Sequence, residues 1–70
     1  MVKLTLDVYL KAHRISRYQL AKKAEIGYPI IDKYYKNKVM RYDSFILDRI
    51  CKALQCDVAD ILSFEDDANP

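Results

Sequence analysis

Apolar positions along the 70-residue chain recur at helical spacing in five separate stretches. Leu6, Tyr9 and Leu10 fall at i, i+3 and i+4, one side of a helix expected to run from a cap at Thr5 to about His13. Leu20, Ala21 and Ala24 form a second such face behind Ser16, with Ile15 turned inward from the connection before it. Ile31 and Tyr34 form a third face, on a helix expected to start at Tyr28 and end near Lys36. Leu47, Ile50, Cys51 and Leu54, at i, i+3, i+4 and i+7, make the most regular stripe, with Asp43 or Ser44 as its cap. Asp57 then caps a short fifth helix carrying Val58, Ile61 and Leu62, with Phe64 close behind; so short a helix is stable only if that surface packs. The first residues, Met1 to Thr5, alternate as a short extended arm would, but are too few to decide.

The second and third stretches belong together. Ser16 to Lys38 reads as two short helices joined by a tight turn containing Ile26. Ala21 is small where two steeply crossing helices would approach most closely, and Ile31 fills the space opposite, the pattern of a helix-turn-helix. Gly27 offers a flexible backbone ahead of Tyr28 and Pro29, and proline fits the first turn of a helix, where its missing amide has no partner to lose. Spacing alone leaves an ordinary helical hairpin with no ligand as the alternative.

Composition narrows the picture in three ways. One Gly and two Pro favour helices over a turn-rich sheet protein, and the expected class is all-α. No apolar run approaches the roughly 18 residues of a membrane span and no charged-then-apolar leader is seen, so a soluble, cytoplasmic protein with no membrane partner is expected. Charge is polarised: nine cations from Lys11 to Arg41 stand against Glu25 and Asp32, net +7, whereas Asp57 to Pro70 holds five carboxylates and no cation. That suits one face for a polyanion and one end kept away from it, although single lysines such as Lys22, Lys23 and Lys52 are read as solubilising. Cys51 and Cys56 are expected to be reduced, with Cys51 a small apolar side chain in its stripe. Neither has the companions of a zinc site, and His13 is the lone histidine. No metal site, cofactor, small-molecule ligand or catalytic arrangement emerges; there is no glycine-rich phosphate loop and no nucleophile beside the histidine, so no enzyme is expected.

Taken together, Ser16 followed by Leu20-Ala21, the Ile26 and Ile31 positions, and ICKALQCDVADIL from Ile50 to Leu62 resemble the Cro and phage-repressor type of helix-turn-helix domain, the lambda-repressor-like or XRE family. The resemblance runs from about Leu6 to Leu62 and implies a compact five-helix domain with the helix-turn-helix at helices 2 and 3. The domain is placed at residues 1–64, with residues 65–70 as an acidic, disordered tail. Two departures stand out. Glu25 occupies the position where the family usually has a left-handed glycine, a change costing on the order of 1 kcal/mol, with Gly27 expected to absorb part of the difference. An arginine on the first helix and a glutamate ending the third, paired in many members, are here Leu10 and Tyr35, which argues for a repacked core.

The resemblance further implies a sequence-specific regulator of transcription, a repressor, that inserts the helix from Tyr28 to about Lys36 into the major groove of double-stranded DNA. By position, Tyr28, Pro29 and Lys33 face base edges with Asp32 beside them, and Arg17, Lys36, Asn37, Lys38 and Arg41 meet phosphates. Family members reach useful affinity as symmetric homodimers on palindromic operators; Val58, Ile61, Leu62 and Phe64 are the candidate interface, against which stands packing within the same chain. Tyr9, Tyr34 and Phe45 are read as core or partly buried, while Tyr18, Tyr35 and Tyr42 stay open. The alternative function is a protein-interaction module, such as an antitoxin or phage accessory factor, on the same scaffold.

Overall fold

The computed structural model describes residues 1–66. Four α-helices, α1 (Leu6–Ala12), α2 (Arg17–Ala24), α3 (Tyr28–Tyr35) and α4 (Ser44–Leu54), are followed by a 3-10 turn at Val58–Asp60. A two-stranded antiparallel sheet joins β1 (Val2–Leu4) to β2 (Leu62–Phe64), with Val2 opposite Phe64 and Leu4 opposite Leu62. The core is apolar throughout: Leu4, Leu6, Leu10, Leu20, Ala21, Ala24, Ile26, Ile31, Tyr34, Ile50, Ala53 and Ile61 are buried. The expected apolar faces of α1, α2 and α3 are the ones turned inward; Ile50 is the buried centre of the α4 stripe, with Leu47, Cys51 and Leu54 packed against the core from its edge.

Local chemistry explains where the helices begin. Ser16 and Gln19 close a capping box, the Gln19 amide donating to Ser16 Oγ at 3.0 Å and the Ser16 amide to Gln19 Oε1 at 2.8 Å. Asp43 caps α4 by accepting from the Phe45 amide at 2.8 Å. Gly27 precedes α3, with Pro29 in its first turn. Its φ of −56° lies in the ordinary region, so it absorbs nothing of the turn. Glu25 itself adopts the left-handed conformation, with φ of 56°. Arg49 offsets the strain from α4: its Nε donates to the Ala24 carbonyl at 2.7 Å, and its Nη2 lies 3.4 Å from Glu25 Oε1.

All four helices end on one backbone pattern. Arg14, Glu25, Asn37 and Gln55 are left-handed, with φ between 54° and 56°. After each, the next amide reaches back to a carbonyl in the last turn: Ile15 to Leu10, Ile26 to Ala21, Lys38 to Lys33 and Cys56 to Cys51. This is the Schellman arrangement, which satisfies helix-end carbonyls and brings the two end residues of each pair together. Cys51 and Cys56 are free thiols, both half-buried. Burial pushes Cys56 up to about 11, with Cys51 and the carboxylates of Asp60 and Asp57 adding to the effect.

The expected fifth helix is cut short to the 3-10 turn that follows Asp57, leaving Ile61 and Leu62 outside it, and the fold is mostly helical with a small sheet. The Asp57 amide bonds to Asp60 Oδ2 at 2.9 Å, and the turn stops at Asp60. A one-turn helix here would make few internal bonds; pairing with β1 instead gives both extended segments a partner for their backbone groups. Ile61 is 0% exposed and Leu62 is half-buried. The expectation that Ile61 meets a second protomer is therefore corrected: its side chain belongs to the chain's own core. Phe45, expected to pack, is instead 61% exposed, because α4 turns Leu47 and Ile50 inward. The supposed tail is anchored at its start, the Glu65 amide donating to the Met1 carbonyl at 2.8 Å and its carboxylate lying 2.6 Å from Lys3 Nζ. The disorder expected for the tail's last residues, 67–70, concerns positions outside those described.

Candidate nucleic-acid interface

Ile31 and Tyr34 fix the orientation of α3. Ile31 is fully buried, and the Tyr34 ring is buried with its hydroxyl accepting from the Asp43 amide at 3.1 Å. The rest of the surface of α3, its first turn included, is left to solvent. Tyr28, Pro29 and Lys33 are exposed there, as expected of base-facing residues, and the structure adds Ile30, 41% exposed. Ile30 was not singled out because an isoleucine beside Ile31 reads as core. It lies four residues before Tyr34, on the flank of the buried face, and is exposed because it sits in the first turn of α3.

Asp32 is held from two sides. Arg17 Nη1 donates to its Oδ1 at 2.7 Å and Lys36 Nζ lies 3.1 Å from its Oδ2. The hydrogen bond from Lys36, with its charge and the Arg17 contact, keeps this carboxyl below the usual carboxylate range despite partial burial. Asp32 is half-buried and shares its surface with two cations, so it is less available to a base edge than its neighbours Pro29 and Lys33. Arg17, at the start of α2, also places its guanidinium carbon 4.5 Å from the centre of the Tyr35 ring. The positions at which many family members carry an arginine–glutamate pair are here a buried Leu10 and a half-buried Tyr35. A different ion pair, Arg17 with Asp32, links α2 to α3 instead. The sequence contains these partners but not their contact, since residues 17 and 32 lie on separate helices.

The remaining cations line the exit of α3. Lys36 ends the helix, Asn37 is left-handed, and Lys38 and Arg41 are exposed on the connector to α4. Asn37 has a structural task as well, since its Oδ1 accepts from the Leu4 amide at 2.9 Å and ties β1 to the end of α3. Among the candidate interface residues, Val58 is 47% and Phe64 71% exposed. They lie near the sheet and not on α3.

Among the described residues no helix is long and apolar enough to cross a membrane, and no group of three His, Cys, Asp or Glu side chains is placed to hold a metal ion. A comparison with curated proteins finds no significant match. A family model described as the Cro/C1-type HTH DNA-binding domain matches residues 5–67. With nearly its whole length matched and its two central helices set as a helix-turn-helix, the chain belongs to the Cro/C1-type helix-turn-helix DNA-binding family.

Proposed function

We propose that the protein is a sequence-specific repressor of transcription that lays α3 in the major groove of double-stranded DNA. The observation that carries this reading is the outward side of α3: Tyr28, Pro29, Ile30 and Lys33 are presented by a helix whose other side is locked in the core, with Arg17, Lys36, Lys38 and Arg41 around it. Lys33 donates to guanine O6 or N7, while Tyr28 and Ile30 offer apolar contact to thymine methyl groups. Arg17, Lys36, the free amide nitrogen of Asn37, Lys38 and Arg41 meet phosphates and set register. Asp32 lies at the edge of this surface, beside the bases it would face.

One such helix reads few base pairs, and a symmetric dimer on a palindromic operator doubles the contact. Val58 and Phe64, with the half-buried Leu62, are the candidate interface; their exposure supports this reading. Selection of bound sequences from a random DNA library tests the whole proposal. A short enriched palindrome is expected, and no enrichment would sink it. The second reading, a protein-interaction module, is favoured by large apolar side chains exposed away from α3, chiefly Phe45 and Phe64. It predicts no DNA affinity at any salt concentration. Groove binding with about five phosphate contacts predicts a log-log salt slope near −4 to −5.

A further inference from the structure

Arg17, Asp32 and Tyr35 meet at one corner of the α2–α3 pair. The guanidinium is held at its edge by Asp32 Oδ1, 2.7 Å from Nη1, and across its face by the Tyr35 ring, 4.5 Å from its carbon. Asp32 is itself fixed from the far side by Lys36 at 3.1 Å. Arg17 keeps 34% of its side-chain surface exposed, so it is held without being hidden. A guanidinium has five N–H donors, and the bond to Asp32 leaves others for a ligand.

The two contacts differ in electrostatic consequence. The Asp32 carboxylate opposes an incoming phosphate, and the Lys36 charge offsets that opposition. Tyr35 is neutral, so its effect on Arg17 is separable from the number of charges on the surface. A long side chain that is already ordered loses less freedom when it binds.

We propose that Tyr35 and Asp32 are positioning residues for Arg17, fixing its planar guanidinium in the free protein so that it meets a DNA phosphate already ordered. This rests on the reading of Arg17 as a phosphate contact. The α1 and α3 positions occupied by Leu10 and Tyr35 then take on a joint role: Leu10 fills the core, and Tyr35 is released to hold an arginine from α2.

Fluorescence anisotropy on two labelled duplexes, one carrying a sequence enriched from a random library and one of scrambled sequence, measures affinity across a salt series. Arg17→Ala is expected to weaken both duplexes and make the salt slope shallower by about 0.9. Tyr35→Leu is expected to weaken both by about fivefold with the slope unchanged, and Tyr35→Phe, which keeps the ring, to bind as the parent does. If Arg17→Ala changes neither affinity nor slope, the phosphate role of Arg17 is wrong and the proposal falls with it. If Arg17→Ala weakens binding and Tyr35→Leu, still folded by circular dichroism, does not, the positioning role alone is overturned. NMR relaxation of arginine Nε groups in the unmodified free protein gives a second test independent of any variant. Arg17 is expected to be more ordered than Arg14 and Arg41, and equal mobility would overturn the proposal.

Discussion

At the ends of α1, α2 and α4 the residue pairs brought together by the closing turn are Leu10 with Ile15, Ala21 with Ile26, and Cys51 with Cys56. At the end of α3 the same two positions carry Lys33 and Lys38. The backbone is the same in all four places, down to a left-handed residue within two degrees of φ. Three of the ends are finished with an apolar contact, as is usual for this motif. The fourth replaces that contact by two like charges. The negative end of the helix dipole eases their placement, but only by a fraction of a kcal/mol for exposed groups. The better compensation for such a pair is a polyanion outside the chain. The contrast therefore separates positions that hold the fold from positions that serve the surface.

Breaking an apolar end gives the largest effect. Leu10→Ala is expected to cost about 2–5 kcal/mol, because Leu10 is 1% exposed and the truncation leaves a cavity; urea denaturation measures it, and a loss under about 1 kcal/mol would show that this end holds little. At the charged end, Lys38→Ala is expected to leave stability within about 0.5 kcal/mol. It should weaken binding to every duplex about tenfold near 0.1 M salt. Lys33→Ala is expected instead to change the enriched sequence, and equal losses on all sequences from both variants would erase the division between reading and gripping.

Relieving the shared backbone strain comes next. Gln55→Gly removes a side chain from a left-handed position and is expected to stabilise the protein by about 1 kcal/mol. That corresponds to a rise in Tm of about 4–8 °C in a thermal melt. Glu25→Gly should gain less, since it also discards the Arg49 contact at 3.4 Å. The last expected effect is confined to alkaline pH. Burial raises Cys56 from 9.0 to about 11 in the folded state, so stability is complete below the unfolded thiol value and falls as pH rises towards 11. Denaturation midpoints measured from pH 8 to 11 should show that decline, and Cys56→Ala should lessen it, leaving the part due to Cys51 and Tyr9, which are raised as well.

The parts of the fold that were legible in the sequence are those written in one helix at a time. Ser16 as a cap, Tyr28 as the start of α3 and the inward faces of Leu6, Leu20 and Ile31 depend on neighbours within a few residues. Contacts between segments distant along the chain were not legible. Leu62 to Phe64 carries apolar residues that suit a helix or a strand, and only a partner at Val2 to Leu4 decides between them. The same holds for the surface. Lys33 and Lys38 could be named from position, but the link from Arg17 to Asp32 and Tyr35 depends on how α2 crosses α3. The tasks of Arg49, and the second task of Asn37, were missed for the same reason.

The pairing of β1 with β2 has a consequence for the order of events during folding. Each helix closes contacts over a few residues, and α2 finds α3 across a short turn, so those steps carry little loop-closure entropy. The strand pair joins segments as distant as Val2 and Phe64 and is expected to form last and open first. Because the Leu4 amide is bonded to Asn37 at the exit of α3, that late clasp touches the proposed DNA surface. Amide hydrogen exchange at Leu4 should thus slow when DNA is bound, giving a probe of occupancy at the exit of α3.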